Sequence, residues 1–378
     1  MSNGKLTIGF VRRGYSASGG AEAYLQRLAQ GIVARGHEVR LFTTIDWPEK
    51  EWSFGEITRL RSASPIGFAN ELEKLRSQVR CDVLMSLERV WSCDVYRAGD
   101  GVHRAWLDRR KKFENPLQKI FRWVNRKHEG LLRLERSLFE ERKAERVIVN
   151  SQMVKDEIFD LYCYRPDKID VVPNGVPFDQ FRFDPERREK SRADLELQED
   201  ELAILFVGSG WERKGLRFAI EAVESFENPK MRLFVVGRDI QDRYKSTCVR
   251  FLGEVADLRP VYGAADIFIL PTIYDPFSNA CLEALSAGLP VITTRANGFS
   301  EIMEDRIHGS IIDRADNVAD LRRALETWSD ATRRLAARPT ILKRASQFDI
   351  SRNVEKTLEI LVQVATSAAS TSEKMRNT

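Results

Sequence analysis

The stretch Tyr274–Val291, Y-D-P-F-S-N-A-C-L-E-A-L-S-A-G-L-P-V, carries the clearest structural pattern of the chain. It follows the apolar run Ile267–Leu270, which is typical of a buried strand that feeds into a loop. Asp275 stands directly before a proline, and this order predicts an N-cap followed by a helix over Phe277–Ala287. A glycine and a proline then end the helix, and the next buried strand begins at Val291. Strand, loop, helix and strand form the repeating unit of an open α/β sheet, where ligands bind at the carboxyl ends of the strands.

Glu283 is the unexpected residue of this predicted helix, because it lies in an otherwise small and apolar run. An unpaired buried carboxylate costs several kcal/mol, so a buried Glu283 requires a partner. Asp275 precedes it by roughly 12 Å of helical rise. Two carboxylates at that spacing suit two hydroxyl-bearing parts of one long ligand, with an anion at the helix N-terminus between them. The alternative is that Asp275 only caps the helix and Glu283 faces solvent.

The stretch resembles the E-x7-E signature of the family 4 retaining glycosyltransferases of GT-B fold, with Asp275 in place of the first glutamate. In that family the first acid and the backbone amides after it hold the donor sugar, and the second acid holds the ribose of the nucleotide. The resemblance makes Asp275 a candidate catalytic residue. It implies donor contacts from Asp275, Phe277, Ser278, Asn279 and Glu283. Aspartate is one methylene shorter than glutamate, so it reaches less far toward a sugar.

Length and composition describe an ordinary soluble globular protein. A chain of 378 residues is long enough for two α/β domains, each with its own core. The formal net charge of +4 implies no general affinity for nucleic acid. The five cysteines are scattered without C-x2-C spacing, which favours neither a disulfide framework nor a zinc site and fits a reducing cytosol. No apolar run approaches the length of a spanning helix, so we predict a cytoplasmic protein or one peripheral to a membrane.

The N-terminal half opens as a predicted βαβ unit. Leu6–Val11 is typical of a buried strand, Glu22–Arg35 has helical apolar spacing, and His37–Thr43 predicts the next strand. The loop between the first two elements lacks G-x-G-x-x-G and G-K-[ST], so a dinucleotide fingerprint and a P-loop are disfavoured. Its glycines still offer backbone N–H groups to an anion at a helix N-terminus. The loop resembles the S-x-G-G-A-E loop of the same family, which implies that Gly19 and Gly20 close over the donor diphosphate.

A second candidate cluster follows two short predicted strands, near Val83–Leu87 and Asp94–Tyr96. The turn A-G-D-G contains Asp100, and His103 and Arg104 follow it, which gathers an acid, an imidazole and a guanidinium after a strand. The alternative is an ordinary turn aspartate and a surface or half-buried histidine. The family resemblance implies that Asp100 and His103 lie near the donor sugar and the acceptor. Both are therefore candidate catalytic residues.

Residues 104–143 are unusually basic, with thirteen Lys or Arg against six acids, a balance of +7. Within them an apolar helical face carries Leu117, Ile120, Phe121 and Val124, with Trp123 beside it. Basic residues with Trp and Phe on such a helix predict contact with an anionic membrane surface. One alternative is a solvated helical pair that packs on the N-terminal sheet, for which Leu131, Leu134 and Leu138 are suited. The other is RNA binding, but nothing in the sequence resembles a nucleic-acid module.

The middle of the chain predicts a boundary between two domains. The turn P-N-G-V at residues 173–176 resembles the interdomain turn of family 4 enzymes, and the charged stretch Phe181–Glu201 predicts a linker that passes into a surface helix. We place the boundary near residue 180. The predicted parts are an acceptor-side Rossmann-like domain over 1–180, a nucleotide-sugar-binding Rossmann-like domain over 181–350, and a C-terminal helix over 351–378 that packs back on the first domain and ends in a disordered tail from about Ser367.

The second domain restarts with the predicted strand Leu202–Val207 and the loop G-S-G-W-E-R-K-G at residues 208–215. Glycines followed by Arg213 and Lys214 at a helix start predict a diphosphate site, since backbone amides and both cations attract the anion. Two plain surface cations are disfavoured there because they would oppose the helix dipole. The pattern resembles G-x-x-x-x-R-K-G of the family, in which these residues neutralise the donor pyrophosphate. No D-x-D occurs, so a metal is unsupported and we expect no cofactor.

The sequence therefore predicts a GT-B glycosyltransferase, with two Rossmann-like domains facing each other across a cleft. The family implies retention of anomeric configuration. A further similarity to the lipopolysaccharide core glucosyltransferases implies UDP-glucose as donor, a lipid-linked core oligosaccharide as acceptor and a place on the inner face of the cytoplasmic membrane. Two alternatives stay open: a nucleotide-sugar 2-epimerase of GT-B fold, and a non-catalytic membrane-associated protein that binds sugar nucleotides.

Overall fold

The computed structural model describes residues 4–16, 20–78, 80–113 and 126–376. The chain forms two compact units: unit 1 comprises Met1–Pro173 with Ser351–Thr378, and unit 2 comprises Asn174–Ile350. The division falls at Pro173 rather than near residue 180. The reason is local pairing, because the Val176 N–H donates to Phe348 O at 3.2 Å and the Ile350 N–H donates to Val176 O at 3.0 Å. These bonds join the start of unit 2 to its end.

Unit 1 is an α/β unit that alternates strands and helices. Its strands are β1 (Thr7–Val11), β2 (Glu38–Thr44), β3 (Glu56–Leu60), β4 (Val83–Ser86), β5 (Cys93–Arg97), β6 (Ala144–Val149) and β7 (Ile169–Val171). Its helices in the same stretch are α1 (Gly20–Val33), α2 (Pro65–Leu75), α3 (His103–Arg110), α4 (Arg126–Phe139) and α5 (Gln152–Tyr162). Short 3-10 turns lie at Glu49–Glu51, Arg76–Gln78 and Pro166–Lys168.

The seven strands of unit 1 form one parallel sheet in the order β3-β2-β1-β4-β5-β6-β7. Strand β4, for example, is buried along its whole length and is apolar except for Ser86, as expected for a parallel sheet covered by helices on both faces. Sequence order reverses between β1 and β4. At such a switch point the loops that follow the two central strands diverge and leave room for a ligand at the carboxyl edge.

Unit 2 repeats the pattern. Its strands are β8 (Leu202–Val207), β9 (Met231–Val236), β10 (Val249–Gly253), β11 (Ile267–Leu270), β12 (Val291–Thr294) and β13 (Gly309–Ile312). Its helices are α6 (Phe178–Phe181), α7 (Pro185–Asp194), α8 (Trp211–Lys214), α9 (Leu216–Glu224), α10 (Arg259–Ala264), α11 (Asn279–Ser286), α12 (Val318–Ser329) and α13 (Ala331–Ala345). Further 3-10 turns lie at Gln241–Arg243, Gly298–Ile302 and Ser346–Phe348.

The six strands of unit 2 are also parallel, in the order β10-β9-β8-β11-β12-β13. This is the strand order of a Rossmann sheet, and its switch point lies between β8 and β11. The predicted strands at Leu202–Val207, Ile267–Leu270 and Val291–Thr294 have the observed bounds. The two Rossmann-like sheets predicted from the sequence are therefore confirmed.

The last helix, α14 (Ile350–Arg376), belongs to unit 1 from Ser351 onward. It lies against α1: a Cβ added to Gly31 would be 2.8 Å from Val354, and the Tyr24 hydroxyl donates to Asn353 Oδ1 at 2.9 Å. The prediction of a disordered tail from about Ser367 is wrong, because the helix continues to Arg376. A packed helix propagates through residues of adequate helix propensity, since each further turn adds hydrogen bonds without a new nucleus. No helix in the described part of the chain has the length and apolar character needed to cross a membrane.

Candidate functional site

The switch point of unit 2 joins two loops through an ion pair. The loop after β8 carries Arg213 and Lys214, and the loop after β11 carries Asp275. The Lys214 ammonium donates a hydrogen bond to the Asp275 carboxylate. The Arg213 guanidinium donates to Tyr274 O at 2.8 Å and lies 3.8 Å from the Asp275 carboxylate. The residues predicted to bind a diphosphate thus come together at the carboxyl edge of the sheet, where such a ligand is expected.

The two cations occupy a different place along the helices from the predicted one. They end the short helix α8, and the long helix α9 begins only at Leu216. Gly215 separates the two helices with φ of +77°, a left-handed conformation that favours glycine. A Cβ at Gly215 would lie 1.9 Å from Pro271 O, so the β8 loop touches the β11 loop there. The close approach explains why a glycine follows the Arg-Lys pair.

Lys214 is a buried cation, with 9% of its surface exposed. Burial lowers the pKa of the Lys214 ammonium, because the charged form loses hydration, and the neighbouring Asp275 carboxylate acts in the opposite direction. Asp275 is itself only 4% exposed. A buried ion pair of this kind costs desolvation energy, and such pairs cluster at functional sites.

Asp275 is not the N-cap of the signature helix, so that prediction is wrong. The helix α11 begins at Asn279, and the Ser278 hydroxyl accepts a hydrogen bond from the Cys281 N–H at 3.4 Å. Asp275 is instead fixed by its main chain, since its N–H donates to Ala296 O and its carbonyl accepts from the Gly298 N–H, both at 2.9 Å. Because Asp275 lies outside the helix, the predicted helical spacing to Glu283 does not apply.

Asn297 is a site residue that sequence reasoning missed. It follows β12 and is completely buried. Its Oδ1 accepts from the N–H groups of Ser278 (3.2 Å) and Phe299 (3.1 Å), and its Nδ2 donates to Thr293 Oγ1 at 3.0 Å. The Asn297 side chain therefore connects the loop before α11, at Ser278, to the end of β12, at Thr293. The available signal was the asparagine–glycine pair directly after a buried strand, which resembles an ordinary turn.

Glu283 is buried, and the alternative that it faces solvent does not hold. It is 8% exposed, and the Tyr262 hydroxyl donates to its Oε2 at 3.0 Å. Tyr262 on α10 therefore supplies the partner that a buried carboxylate requires.

The remaining signature residues are also in defined contacts. Phe277 is buried and meets Phe299 edge-on, with ring centroids 5.8 Å apart. Asn279 accepts a hydrogen bond from Asn174 Nδ2 at 2.7 Å, which ties the first residue of α11 to the start of unit 2. These contacts hold the N-terminus of α11 in place at the same edge as Lys214.

An aromatic cluster lies on the β9 and β10 side of this edge. Trp211 is completely buried, stacks on Phe251 at a centroid distance of 5.2 Å, and donates its indole N–H to Gly208 O at 2.7 Å. The Trp211 N–H donates to Asp239 at 2.7 Å. The loop after β8 therefore contacts the loop after β9 as well as the loop after β11.

Unit 1 carries a different charge cluster at its own switch point. Arg12, directly after β1, lies 3.1 Å from Glu22, 3.4 Å from Asp100 and 3.8 Å from Glu88. Arg13 lies 3.7 Å from Glu88. The side chain of Asp100 is 52% exposed, whereas Glu88 is buried and burial raises its pKa against the pull of the two arginines. Asp100 is therefore at the carboxyl edge, as predicted, and is engaged by a cation.

His103 begins helix α3 and has a second histidine as its neighbour. Its Nε2 lies 3.0 Å from His128 Nδ1 on α4. Glu135, also on α4 and completely buried, accepts from the N–H groups of His103 (2.6 Å) and Arg104 (3.0 Å). A carboxylate from another helix thus caps the N-terminus of α3, where negative charge is favoured.

Glu135 is a second residue that the sequence did not single out. It pairs with Arg89 at 3.0 Å, and Arg89 donates to Gly101 O at 2.6 Å. The Tyr162 hydroxyl donates to Glu135 at 2.6 Å. The buried pair holds the turn after β5 and hence the position of Asp100. Within a helix rich in basic residues, the sequence suggests a solvated Glu135, because nearby cations could pair with it at the surface. Its partner Arg89 lies too far away in sequence to be recognised as such.

Some predicted features fall on parts of the chain outside the description. Gly20 begins α1, but Gly19 lies outside the described residues. The same is true of Leu117, Ile120, Phe121, Trp123 and Val124. In the described part of the basic region, Leu134 and Leu138 on α4 are completely buried, which agrees with a helix that packs on the sheet. Among the described residues no group of three or more His, Cys, Asp or Glu side chains is placed to hold a metal ion.

Family models match both halves of the chain. Residues 201–330 match the model described as "Glycosyl transferases group 1", and residues 18–180 match "Glycosyltransferase Family 4". These matches cover the loops with Arg213, Lys214 and Asp275 in unit 2, and in unit 1 they cover Asp100 and His103. The chain therefore carries a Glycosyltransferase Family 4 domain and a domain of the glycosyl transferases group 1, which confirms the glycosyltransferase family recognised in the sequence.

Several individual proteins are similar to this chain in sequence. The lipopolysaccharide glucosyltransferase WaaG of Escherichia coli (strain K12) is 24% identical over 81% of this chain and 85% of its own length. A probable transglycosylase of Burkholderia thailandensis is 28% identical over 95% of this chain and 98% of its own length. Other relatives are matched over about half their length, including an uncharacterized glycosyltransferase of Methanocaldococcus jannaschii, which is 32% identical over 43% of this chain and 45% of its own length.

Solved structures confirm the fold. The crystal structure of WaaG, described as a glycosyltransferase involved in lipopolysaccharide biosynthesis, superposes with a TM-score of 0.79 at 24% identity and covers 94% of this chain and 99% of that one. Anabaena HepE in complex with UDP and glucose gives a TM-score of 0.74 at 19% identity, with coverage of 94% and 99%. The prediction of two Rossmann-like α/β units of the GT-B class is confirmed.

Proposed function

We propose that this glycosyltransferase transfers glucose from UDP-glucose to a lipid-linked core oligosaccharide, with retention of anomeric configuration. The observation that carries the donor half is the pair of cations, Arg213 and Lys214, at the switch point of unit 2. A diphosphate there meets two positive charges and the N-terminus of α11, which together favour an anion. Glu283 is a buried carboxylate on α11, and carboxylate oxygens accept hydrogen bonds from hydroxyl groups such as those of a ribose.

The proposed chemistry is mainly electrostatic. The acceptor hydroxyl oxygen bonds to the anomeric carbon as the bond from that carbon to the diphosphate breaks, and the hydroxyl proton passes to the departing phosphate. Negative charge grows on the leaving UDP, and Arg213 and Lys214 stabilise it from fixed positions in a partly dry site. In this proposal the two cations take the place of a metal ion, and no cofactor takes part. Asp100 and His103 of unit 1 are proposed to contact the acceptor.

Three similar proteins support the choice of donor and acceptor. WaaG is named for glucose transfer to lipopolysaccharide, and HepE was crystallised with UDP and glucose. An Escherichia coli relative, 25% identical over 53% of this chain, is named for UDP-galactose and a diphosphoundecaprenol acceptor. UDP appears in the descriptions of HepE and the galactosyltransferase, and a lipid-bearing acceptor in the names of WaaG and the galactosyltransferase. We therefore propose UDP-glucose first and UDP-galactose as the nearest competitor.

The test of the donor is calorimetric titration with UDP, GDP and their hexose conjugates. A charged hydrogen bond contributes about 1.5–3 kcal/mol, so Lys214→Ala is expected to bind UDP roughly ten- to a hundredfold more weakly. The matched control is Lys230→Ala, because Lys230 pairs with Asp200 on the surface of the same unit, away from the switch point. Binding of GDP-sugars without UDP-sugars would contradict the donor assignment.

Turnover separates this function from its alternatives. With UDP-glucose and extracted core glycolipid as substrates, we expect the enzyme to release UDP and to form a glucosylated lipid. Mass spectrometry identifies the lipid product. A protein that only binds sugar nucleotides gives neither product. A 2-epimerase gives an epimerised sugar without any glycolipid, so the three outcomes are distinct.

We also propose that residues 104–143 contact an anionic membrane, which places the enzyme at the inner face of the cytoplasmic membrane. The support is the +7 balance of this segment and the lipid character of the proposed acceptor. Sedimentation with vesicles tests it: binding to vesicles of phosphatidylglycerol and phosphatidylethanolamine is expected, and binding should weaken with salt. Equal binding to neutral vesicles of phosphatidylcholine would contradict the electrostatic basis.

A further inference from the structure

Asp275 stands where the family has a glutamate that holds the donor sugar, yet its surroundings favour another task. Its carboxylate is engaged by the Lys214 ammonium, and the Arg213 guanidinium lies 3.8 Å away. The Asp275 side chain is 6% exposed, which leaves little of it open to a sugar. Its main chain is fixed on both sides, to Ala296 and Gly298, so the short side chain has little freedom to move outward.

Lys214 is held from two directions by this arrangement. Its ammonium rests on Asp275, and its aliphatic stem runs along Gly208, where an added Cβ would lie 3.4 Å from Lys214 Cε and 3.5 Å from Cγ. Gly208 has no side chain to displace the stem. A lysine normally loses considerable side-chain entropy when it binds an anion. A lysine fixed in advance by a glycine and a carboxylate has lost that entropy before the ligand arrives.

We propose that Asp275 is a positioning residue that holds Lys214 charged and in place for the donor diphosphate, rather than a ligand of the donor sugar. This inference rests on the proposed function, since it assumes a nucleoside diphosphate at the unit 2 switch point. Aspartate in place of glutamate at this position then has two consequences. Groups other than Asp275 discriminate between donor sugars, and the affinity for the diphosphate depends on Asp275.

The experiment uses UDP as the probe, because UDP has the diphosphate but no sugar. If Asp275 acts through Lys214, Asp275→Asn weakens UDP binding by about tenfold in calorimetry, the scale of one charged hydrogen bond. Uridine, which has no phosphate, should bind Asp275→Asn and wild type equally. A carboxylate that served only the sugar would leave UDP affinity unchanged, and that result would overturn the inference.

Two controls separate positioning from general damage. Asp200→Asn removes the same charge from the exposed Lys230–Asp200 pair and should leave UDP affinity at the wild-type value. In the Lys214→Met background, Asp275→Asn should add little, because the residue through which it acts is gone. Additive losses, or an equal loss in Asp200→Asn, would overturn the inference. Asp275→Ser repeats the measurement should the asparagine variant fail to fold.

The pH dependence of UDP binding gives an independent signature. Burial lowers the pKa of Lys214 and the Arg213 guanidinium lowers it further, whereas the Asp275 carboxylate raises it. Without the Asp275 charge the pKa falls, so Lys214 loses its proton at a lower pH. As pH rises, UDP affinity of Asp275→Asn should therefore decline at a lower pH than that of wild type. Parallel profiles would contradict the proposal.

Failure of this inference and failure of the proposed function give different results. If wild-type protein binds no nucleoside diphosphate, the proposed function is wrong and the inference falls with it. If wild type binds UDP, Lys214→Ala weakens it and Asp275→Asn does not, the donor site stands and only the role of Asp275 is overturned. If UDP-glucose binding falls in Asp275→Asn while UDP binding does not, Asp275 serves the sugar, as in the family.

Discussion

The switch points of the two units have the same strand order and opposite charge. In unit 2, Arg213 and Lys214 share one carboxylate, Asp275, so positive charge is in excess. In unit 1 the segments after β1, β4 and β5 bring two cations to three carboxylates; the residues are Arg12, Arg13, Glu22, Glu88 and Asp100. Topology therefore supplies a ligand-binding edge in both units, and the charges on the loops decide what each edge can bind.

The difference fits the division of work that we propose. A diphosphate requires the excess of positive charge in unit 2, where both cations lie beside the N-terminus of α11. An excess of carboxylate in unit 1 repels phosphate and suits the hydroxyl groups of a sugar, which donate hydrogen bonds to carboxylate oxygens. The cations of unit 1 are internal partners of its own acids. The comparison thus predicts that unit 2 binds the anion and that its affinity depends on the conformation of the loop after β8.

The largest expected effect comes from a change to that shape. Gly215→Ala places a methyl group 1.9 Å from Pro271 O and also forces alanine to φ of +77°, so the β8 and β11 loops must separate. We expect a loss in the free energy of unfolding well above the roughly 1–2 kcal/mol of a left-handed alanine, together with loss of UDP binding. Denaturant unfolding and calorimetry measure the two effects.

Gly210→Ala is the matched control for this prediction. Gly210 lies in the same loop with φ of +71°, but an added Cβ there meets nothing within 4 Å. It should cost only the conformational term, about 1–2 kcal/mol, and leave the two loops in contact. Equal losses in the two variants would mean that contact between the β8 and β11 loops does not shape the diphosphate site.

The sequence predicted where this loop lies, at the carboxyl edge of the sheet, because the pattern that reveals it is local. Glycines, then Arg213 and Lys214, followed a clear apolar strand, and a parallel sheet brings every such loop to one edge. The strands β8, β11 and β12 were equally clear, since each is a short buried run of apolar residues. Two α/β units, with their loops at the carboxyl ends of the strands, therefore followed from the order of elements.

The predictions that failed depended on contacts between distant residues. Asp275 before a proline has the local pattern of an N-cap, but its main chain pairs with residues 296 and 298 and its carboxylate with Lys214, so Ser278 caps α11 instead. Asn297 and Glu135 are buried only because of partners from other elements, and nothing next to them in sequence reveals this. Tertiary hydrogen bonds replaced local preference at these positions.

The smallest expected effect tests the charge excess of unit 1 through stability. Burial raises the pKa of Glu88 in the folded protein above its value of about 4.3 in the unfolded chain, despite Arg12 and Arg13. A raised pKa means that the protonated form stabilises the fold and that this stability is lost as pH rises through the folded pKa. Wild type should therefore lose stability relative to Glu88→Gln as pH rises from about 4, as measured by urea unfolding at a series of pH values.

Glu38→Gln provides a control of opposite sign in the same unit. Glu38 is exposed on β2, and its contact with Lys5 lowers the pKa of the carboxyl group, so its small contribution to stability is present at neutral pH and lost as pH falls. The difference between wild type and Glu38→Gln should thus grow in favour of wild type as pH rises, while the difference for Glu88→Gln moves the other way. If both differences in the free energy of unfolding moved in the same direction, Arg12 and Arg13 would stabilise the charged form of Glu88. The excess of negative charge at the unit 1 switch point would then not reduce the stability of the fold. Opposite slopes would mean that these carboxylates are retained at a cost in stability, which is expected of groups kept for a ligand.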